Sequence, residues 1–189
     1  LTGVGFKLSN IVTSTAADLA AFTGSLLPAW LFDAKGLTLF YTLVMTAIVC
    51  ILLGCGVPTT ANYLIMVTIA APALAMLGVP QLVSHFFVFY YGVLADITPP
   101  VALAAYAGAS MAGADPFKTG NTAFRLGLAK ALVPFVFVYS PSMLLVVKGF
   151  TWAAFWETTI GCALGIVMLA AGLTGYGLAR MSRLEQLWL

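Results

Sequence analysis

The chain has 189 residues, of which 62% are hydrophobic and only 7% are charged, and its net charge is +2. A soluble domain has about a quarter of its residues charged, so this composition excludes a soluble globular protein. The small net charge also argues against a nucleic-acid partner. The composition predicts an all-α integral membrane protein, a bundle of helices embedded in the lipid bilayer. Each helix that crosses the bilayer needs about 20 residues.

The sequence of residues 1–36 predicts an irregular or truncated N-terminal span. The apolar stretch Leu19–Phe32 is short and contains Gly24 and Pro28, and polar residues interrupt the part before it. The first clear turn is Asp33–Gly36. Because the chain begins without an initiator methionine or a signal sequence, we interpret it as a piece of a longer protein.

Residues 37–77 predict a helical hairpin. Leu37–Leu53 and Ala61–Leu77 are apolar stretches of 17 residues each, or about 25 Å of helix, which is marginal for a full crossing. The turn between them carries no charge and is rich in glycine and hydroxyl groups. Irregular backbone of this kind fits the tip of a re-entrant hairpin inside the protein, with Thr60 or Asn62 capping the second arm. An ordinary tight turn at the membrane surface is the alternative.

Residues 81–112 predict one transmembrane helix that is interrupted within residues 95–100. Two successive prolines remove backbone donors, and the residue before them is pushed out of the helical region. Asp96 stands at the same point, where an ionisable side chain at membrane depth indicates a functional site. Broken helices of this kind form ion and substrate sites in transporters. The alternative is a simple proline kink, with Asp96 hydrogen-bonded to a neighbouring helix.

The next helix is predicted over residues 123–147 and is followed by a last span over residues 153–178. Asp115 resembles the N-cap of a first helical turn, and Asn121 is expected to cap the helix itself. Pro134 is one of two prolines that should kink it.

The basic residues predict the orientation, because cytoplasmic loops carry an excess of lysine and arginine. If the connector at residues 113–121 faces the cytoplasm, more basic residues lie inside than outside. The inner set is Lys7, Lys118, Arg125, Lys130, Arg180 and Arg183, and the outer set is Lys35 and Lys148. The hairpin then enters from the outer side.

Two stretches of sequence together resemble a known family. They are Gly54–Tyr63 (Gly-Cys-Gly-Val-Pro-Thr-Thr-Ala-Asn-Tyr) and Phe89–Tyr106, which contains Ala-Asp-Ile-Thr-Pro-Pro-Val. With Arg125–Lys130 and Val133–Tyr139, they are similar to the large membrane subunit of TRAP (tripartite ATP-independent periplasmic) transporters, especially the fused permeases of the TAXI type. The resemblance covers roughly residues 37–145.

The resemblance implies a secondary transporter in the cytoplasmic (inner) membrane of a bacterium or archaeon. Such a transporter imports organic anions, mostly carboxylates, and is usually driven by sodium, with no other cofactor. A periplasmic binding protein delivers the substrate, and a small membrane subunit or its fused equivalent completes the permease. The transport domain moves as an elevator and has two inverted repeats, of which residues 37–147 would be the second. A fragment with one repeat is not expected to transport alone.

Sodium needs several oxygen ligands, which unwound backbone and hydroxyl groups can supply. The hairpin tip and the broken helix should therefore approach each other and share the ion, and Asp96 would add charge or carry a proton instead. The substrate anion would lie beside the ion, near a half-helix N-terminus. The predicted ion ligands are Gly54, Gly56, Val57, Thr59, Thr60, Ala95, Asp96 and Thr98, and the predicted substrate contacts are Asn62, Pro99, Pro100 and Val101.

Other classes of protein fit the sequence less well. An intramembrane enzyme would use Asp96 as one of two catalytic carboxylates, but no second acid lies at membrane depth. A non-transporting scaffold or assembly subunit explains the small residues of the helices but not the uncharged polar residues at two midpoints. A channel is also possible, because broken helices can line a pore.

Overall fold

The computed structural model describes residues 3–26, 33–145, 149–177, 179, 181 and 182. Within these residues it contains eight α-helices and two short 3-10 turns, which confirms the all-α prediction. Four helical stretches in the described part of the chain are long and apolar enough to cross a membrane, namely Ala34–Gly54, Thr59–Met76, Pro116–Tyr139 and Trp152–Thr174. The chain is therefore a multi-pass membrane protein.

The chain divides into two compact units, residues 1–92 and residues 93–189. The helices of the first unit are α1 (Val4–Leu26), α2 (Ala34–Gly54), α3 (Thr59–Met76) and most of α4 (Gln81–Ala95). Helices α2 and α3 form the predicted hairpin, with 21 and 18 residues instead of 17 each. Since these lengths correspond to about 32 and 27 Å, both arms are long enough to cross. The re-entrant interpretation stays a prediction.

Helix α1 is a regular helix of 23 residues, where the sequence predicts an irregular segment. One face of it carries the small residues Ser9, Ala16 and Ala20, all buried. This face packs on α2 and α3, and the Ser9 hydroxyl donates a hydrogen bond to the carbonyl oxygen of Ile69. Packing therefore stabilises a helix whose sequence is interrupted by polar residues. Residues 27–32, which contain Pro28, lie outside the described residues.

Gly5 lies where α1 packs closely against α3. A Cβ atom at this position would lie 2.9 Å from the backbone oxygen of Thr68, which cannot move without shifting α3. We therefore expect Gly5→Ala to destabilise the first unit by about 1–3 kcal/mol, the usual cost of overpacking. The measurement is the thermal unfolding midpoint of the purified protein in detergent.

Gly24→Ala is the matched control for Gly5→Ala on the same helix. A Cβ atom at Gly24 would meet no described atom within 4 Å, so the substitution should gain about 0.5–1 kcal/mol of helix propensity. Equal unfolding midpoints for the two variants would contradict the close packing of α1 on α3.

The predicted interruption of the fourth helix is confirmed. Helix α4 ends at Ala95 and α5 (Leu103–Ala112) begins after an irregular segment of residues 96–102. The interruption extends two residues beyond the predicted limit. With 15 and 10 residues, or about 22 and 15 Å, neither helix reaches across a bilayer alone.

The second unit continues with α6 (Pro116–Leu128), α7 (Leu132–Tyr139) and α8 (Trp152–Thr174). The Asp115 carboxylate accepts a hydrogen bond from the Lys118 amide at 2.8 Å and caps α6, as predicted. Asn121 therefore lies inside α6, and the prediction that it caps a helix over residues 123–147 is wrong.

The helical stretch that begins with α6 ends earlier than predicted. A 3-10 turn over Ala129–Ala131 joins α6 to α7, which contains Pro134. Helix α7 ends at Tyr139 because Pro141 follows two residues later, and a 3-10 turn over Pro141–Leu144 comes next. Residues 146–148 lie outside the described residues.

Helix α8 packs on α6, α7 and both 3-10 turns. It starts at Trp152, where the Thr151 hydroxyl accepts a hydrogen bond from the Ala154 amide at 3.3 Å. It ends at Thr174, rather than at the predicted residue 178, and its C-cap Gly175 has a left-handed φ of 69°. The assignment of residues 37–147 to one transport repeat stays a prediction.

Candidate functional site

The hairpin tip is a short non-helical turn between α2 and α3. Gly54 is the last residue of α2 and is buried, and its carbonyl oxygen accepts a hydrogen bond from the Val57 amide at 3.2 Å. Gly56 has a φ of 79°, a conformation that favours glycine. The predicted ligands Gly54, Gly56 and Val57 are thus brought together in one tight turn.

The start of α3 differs from the prediction. Its N-cap is Pro58, and no side chain caps the helix, so the expected capping by Thr60 or Asn62 is wrong. Thr59 and Thr60 form the first turn, the former half-buried and the latter exposed. Asn62 cannot cap because its side chain points back to α2, where its Nδ2 atom donates to the Cys50 carbonyl oxygen at 3.5 Å.

Asn62 is the most enclosed polar residue of the tip. Its side chain is 1% exposed, and no described residue donates a hydrogen bond to its Oδ1 atom. On α4, a Cβ atom at Gly92 would lie 3.3 Å from its Nδ2 atom, so glycine leaves the space that the amide occupies. A buried acceptor without a donor costs about 1–3 kcal/mol.

The helix break holds the second set of predicted residues. Its first turn is closed by backbone hydrogen bonds, including that from the Thr98 amide to the Ala95 carbonyl oxygen at 3.1 Å. Thr98 is 7% exposed, and its hydroxyl donates to the Leu94 carbonyl oxygen at 2.8 Å. Asp96 is half-buried one residue after the end of α4. The break therefore gathers Ala95, Asp96 and Thr98 as expected.

The carbonyl oxygens of the break are not equivalent. Those of Asp96, Thr98 and Pro100 accept hydrogen bonds from the Ala104 amide, the Ala102 amide and the Tyr106 hydroxyl, at 3.1, 3.1 and 2.8 Å. In the part of the chain that the structure describes, no group donates to the carbonyl oxygens of Ile97 and Pro99. Unwound carbonyl oxygens of this kind coordinate ions in transporters.

Helix α5 begins at Leu103, two residues later than the predicted start at Val101. Its N-cap is Ala102, which is buried and has left-handed angles of φ 25° and ψ 51°. The Ala102 and Ala104 amides already donate within the break, so fewer amides remain for an anion than a free helix N-terminus offers. Pro99 and Val101 are half-buried and Pro100 is exposed.

Two interactions at aromatic side chains were not predicted. The Tyr63 hydroxyl lies 2.7 Å from the Nδ1 atom of His85. Both side chains line an open groove of about 350 Å³. The Tyr106 hydroxyl binds the Pro100 carbonyl oxygen across six residues. Neither follows from hydropathy or helical periodicity, because each depends on the side-chain direction in the folded chain. The approach of the tip to the break stays a prediction.

Apolar helices of spanning length, a helical hairpin and a helix broken beside a carboxylate are the architecture of secondary transporters. The family model described as "Tripartite ATP-independent periplasmic transporter, DctM component" matches residues 1–152. The chain belongs to this family, so it is a permease component and not an enzyme. No curated protein and no solved structure matches the chain.

Proposed function

We propose that this chain is part of a permease that imports organic anions, mainly carboxylates, and that a sodium gradient drives the import. A periplasmic binding protein would deliver the substrate, and a small membrane subunit or its fused equivalent would complete the permease in the inner membrane of a bacterium or archaeon. Membership in the TAXI branch and movement as an elevator belong to the same proposal. The observation that carries it is the helix break at residues 96–102.

The donor atoms of the break support a hard cation as the coupling ion. Ile97 and Pro99 offer carbonyl oxygens, Thr98 offers the lone pairs of a buried hydroxyl group, and Asp96 offers a carboxylate. Among the described residues there is no group of three or more His, Cys, Asp or Glu side chains that could hold a transition metal. Neutral oxygens with one nearby charge suit a monovalent cation.

The hairpin tip would supply the remaining ligands. Gly54, Gly56, Val57, Thr59 and Thr60 form its turn and the first turn of α3. If the ion is shared between tip and break, its binding joins two elements that otherwise separate, and transport depends on the bound ion. This is the physical basis of coupling in the proposal.

The substrate would bind through Asn62 at the tip and Pro99, Pro100 and Val101 at the break. An anion beside the bound cation gains electrostatic stabilisation that a neutral substrate lacks. The unpaired Oδ1 atom of Asn62 repels a carboxylate, but its Nδ2 group can donate to one if it leaves the Cys50 carbonyl oxygen. The amide would then distinguish a carboxylate from a neutral molecule of the same shape.

The direct test is uptake of radiolabelled carboxylates by the assembled transporter in proteoliposomes. We expect an inward sodium gradient, with pH equal on both sides, to drive accumulation above equilibrium. An inward proton gradient with potassium in place of sodium should not. Accumulation driven by the proton gradient alone would refute sodium coupling, and accumulation with neither gradient would refute secondary transport.

A further inference from the structure

Helix α6 provides the surface on which the break rests, through two glycines on one face. Gly120 and Gly127 are both buried and lie seven residues apart, or two helical turns. A Cβ atom at Gly127 would clash with the Cδ1 atom of Ile97, in the middle of the break. A Cβ atom at Gly120 would lie 2.8 Å from the Cε1 atom of Tyr106. Both glycines therefore leave space that side chains of this region fill.

The Tyr106 ring is held on three sides. Its hydroxyl donates to the Pro100 carbonyl oxygen at 2.8 Å, its edge lies against Gly120, and its face stacks on Phe117 with ring centroids 6.4 Å apart. The ring therefore cannot turn away from Gly120 without losing the hydrogen bond. Phe117 and Gly120 both belong to α6, so the ring connects this helix to the break.

The hydroxyl of Tyr106 is one of three donors that pair with carbonyl oxygens of the break. It occupies that of Pro100, while the Ala104 amide and the amide of the N-cap residue Ala102 occupy those of Asp96 and Thr98. The free oxygens of Ile97 and Pro99 alternate with these three. Rotation of one peptide group in such a short segment changes its neighbours, because successive peptide planes are joined only through the two soft dihedrals of the Cα atom between them. Loss of the hydroxyl would therefore disturb the free oxygens as well.

We infer that Tyr106 is a positioning residue, which holds the break in the shape that presents the Ile97 and Pro99 carbonyl oxygens, and that Gly120 is required because it leaves room for the Tyr106 ring. The role in ion binding rests on the proposed function, whereas the control of the shape of the break does not. Tyr106 itself touches no ion in this scheme and acts through Pro100.

Hydrogen exchange of the backbone amides in residues 96–106 tests both parts without any substrate. The assembled transporter is measured in lipid nanodiscs, first in choline chloride and then with NaCl replacing it at constant ionic strength. In choline chloride, Tyr106→Phe should raise the exchange rate of this segment about fivefold, the factor set by one ordinary hydrogen bond. In the NaCl series, the concentration that gives half-maximal protection should rise by a similar factor.

Tyr139→Phe is the matched control, because it removes the same atom from an exposed tyrosine of α7. It should leave both the exchange rate and the NaCl midpoint of residues 96–106 unchanged. If Tyr106→Phe leaves the exchange rate of residues 96–106 unchanged, the inference is overturned, whatever happens to the NaCl midpoint. If exchange rises but NaCl protects nothing even in the unaltered protein, Tyr106 still positions the break and the proposed sodium site fails instead.

Gly120→Ala tests the second half of the inference. The added methyl group should displace the Tyr106 ring and raise exchange at least as much as Tyr106→Phe does. Combined with Tyr106→Phe, it should raise exchange by less than the product of the two single factors, because both act on one hydrogen bond. If the exchange rate of the double variant rises by the full product of the two single factors, the role of Gly120 is overturned. Gly161→Ala on α8, where a Cβ atom meets no described atom within 4 Å, controls for glycine replacement as such.

Discussion

Thr98→Val is expected to raise the sodium concentration for half-maximal uptake roughly tenfold to a hundredfold. The variant keeps the shape of the side chain but removes the hydroxyl, and a bond from a charged group to such an oxygen is worth about 1.5–3 kcal/mol. Thr98 is the buried hydroxyl of the break, so no water can substitute easily for the lost oxygen. The maximal rate at saturating sodium should change less. The measurement is uptake into proteoliposomes over a sodium series.

Two variants separate ion binding from helix stability. Thr98→Ser keeps the hydroxyl and should keep the sodium dependence within about threefold of the unaltered protein, well under the cost of a lost charged hydrogen bond. Thr42→Val removes a buried hydroxyl that makes the same type of bond, to the Thr38 carbonyl oxygen four residues earlier. It should leave the sodium dependence unchanged. A Thr42→Val shift as large as that of Thr98→Val would mean that lost helix bonds, not a lost ligand, cause the effect.

Asp96→Asn is expected to lower sodium affinity by at least about tenfold while the pH profile of uptake keeps its shape. The substitution removes one negative charge at nearly constant volume, and a charge pair at about 4 Å is worth several kcal/mol in a partly buried site. Asp96 is half-buried at the end of α4, where some solvent screening reduces that figure. The measurement is uptake in separate sodium and pH series.

The alternative for Asp96 is that it carries a proton. In that case Asp96→Asn would flatten the pH dependence of uptake and leave the sodium midpoint unchanged, which contradicts the sodium proposal. Asp115→Asn is the control, because Asp115 caps α6 through its Oδ1 atom and asparagine retains an oxygen for that bond. It should change neither series.

Much of the architecture could be predicted from the sequence, because the rules that govern it act over a few residues. Hydropathy alone places the chain in a membrane, since too few charged residues remain for a soluble surface. The adjacent Pro99 and Pro100 interrupt a helix wherever they occur, so the break next to Asp96 was predicted to within two residues. The uncharged tip between α2 and α3 was recognised in the same way, from glycine and proline.

The same local rules failed where a distant contact competes with them. Residues 1–36 read as irregular, yet α1 is a continuous helix because Ser9 binds the carbonyl oxygen of Ile69, sixty positions away. Asn62 reads as an N-cap, but its side chain turns to Cys50 of the other hairpin arm. The sequence predicts Asn121 as a helix N-cap, but Asp115 caps α6 instead. Two cap signals in one connector cannot be ranked by sequence alone.

The distribution of hydrogen bonds within the break was decided only by tertiary structure. The sequence predicts that the helix is interrupted within residues 95–100, but not which carbonyl oxygens remain free. That depends on the Tyr106 ring reaching back to Pro100 and on Gly120 leaving the space for it. The reason is that a proline removes a donor locally, whereas the acceptor it leaves unpaired is satisfied by whichever group packing brings near. The sequence by itself therefore determined where the helix is interrupted. Packing against α6 determined which carbonyl oxygens of the interruption stay without a hydrogen bond.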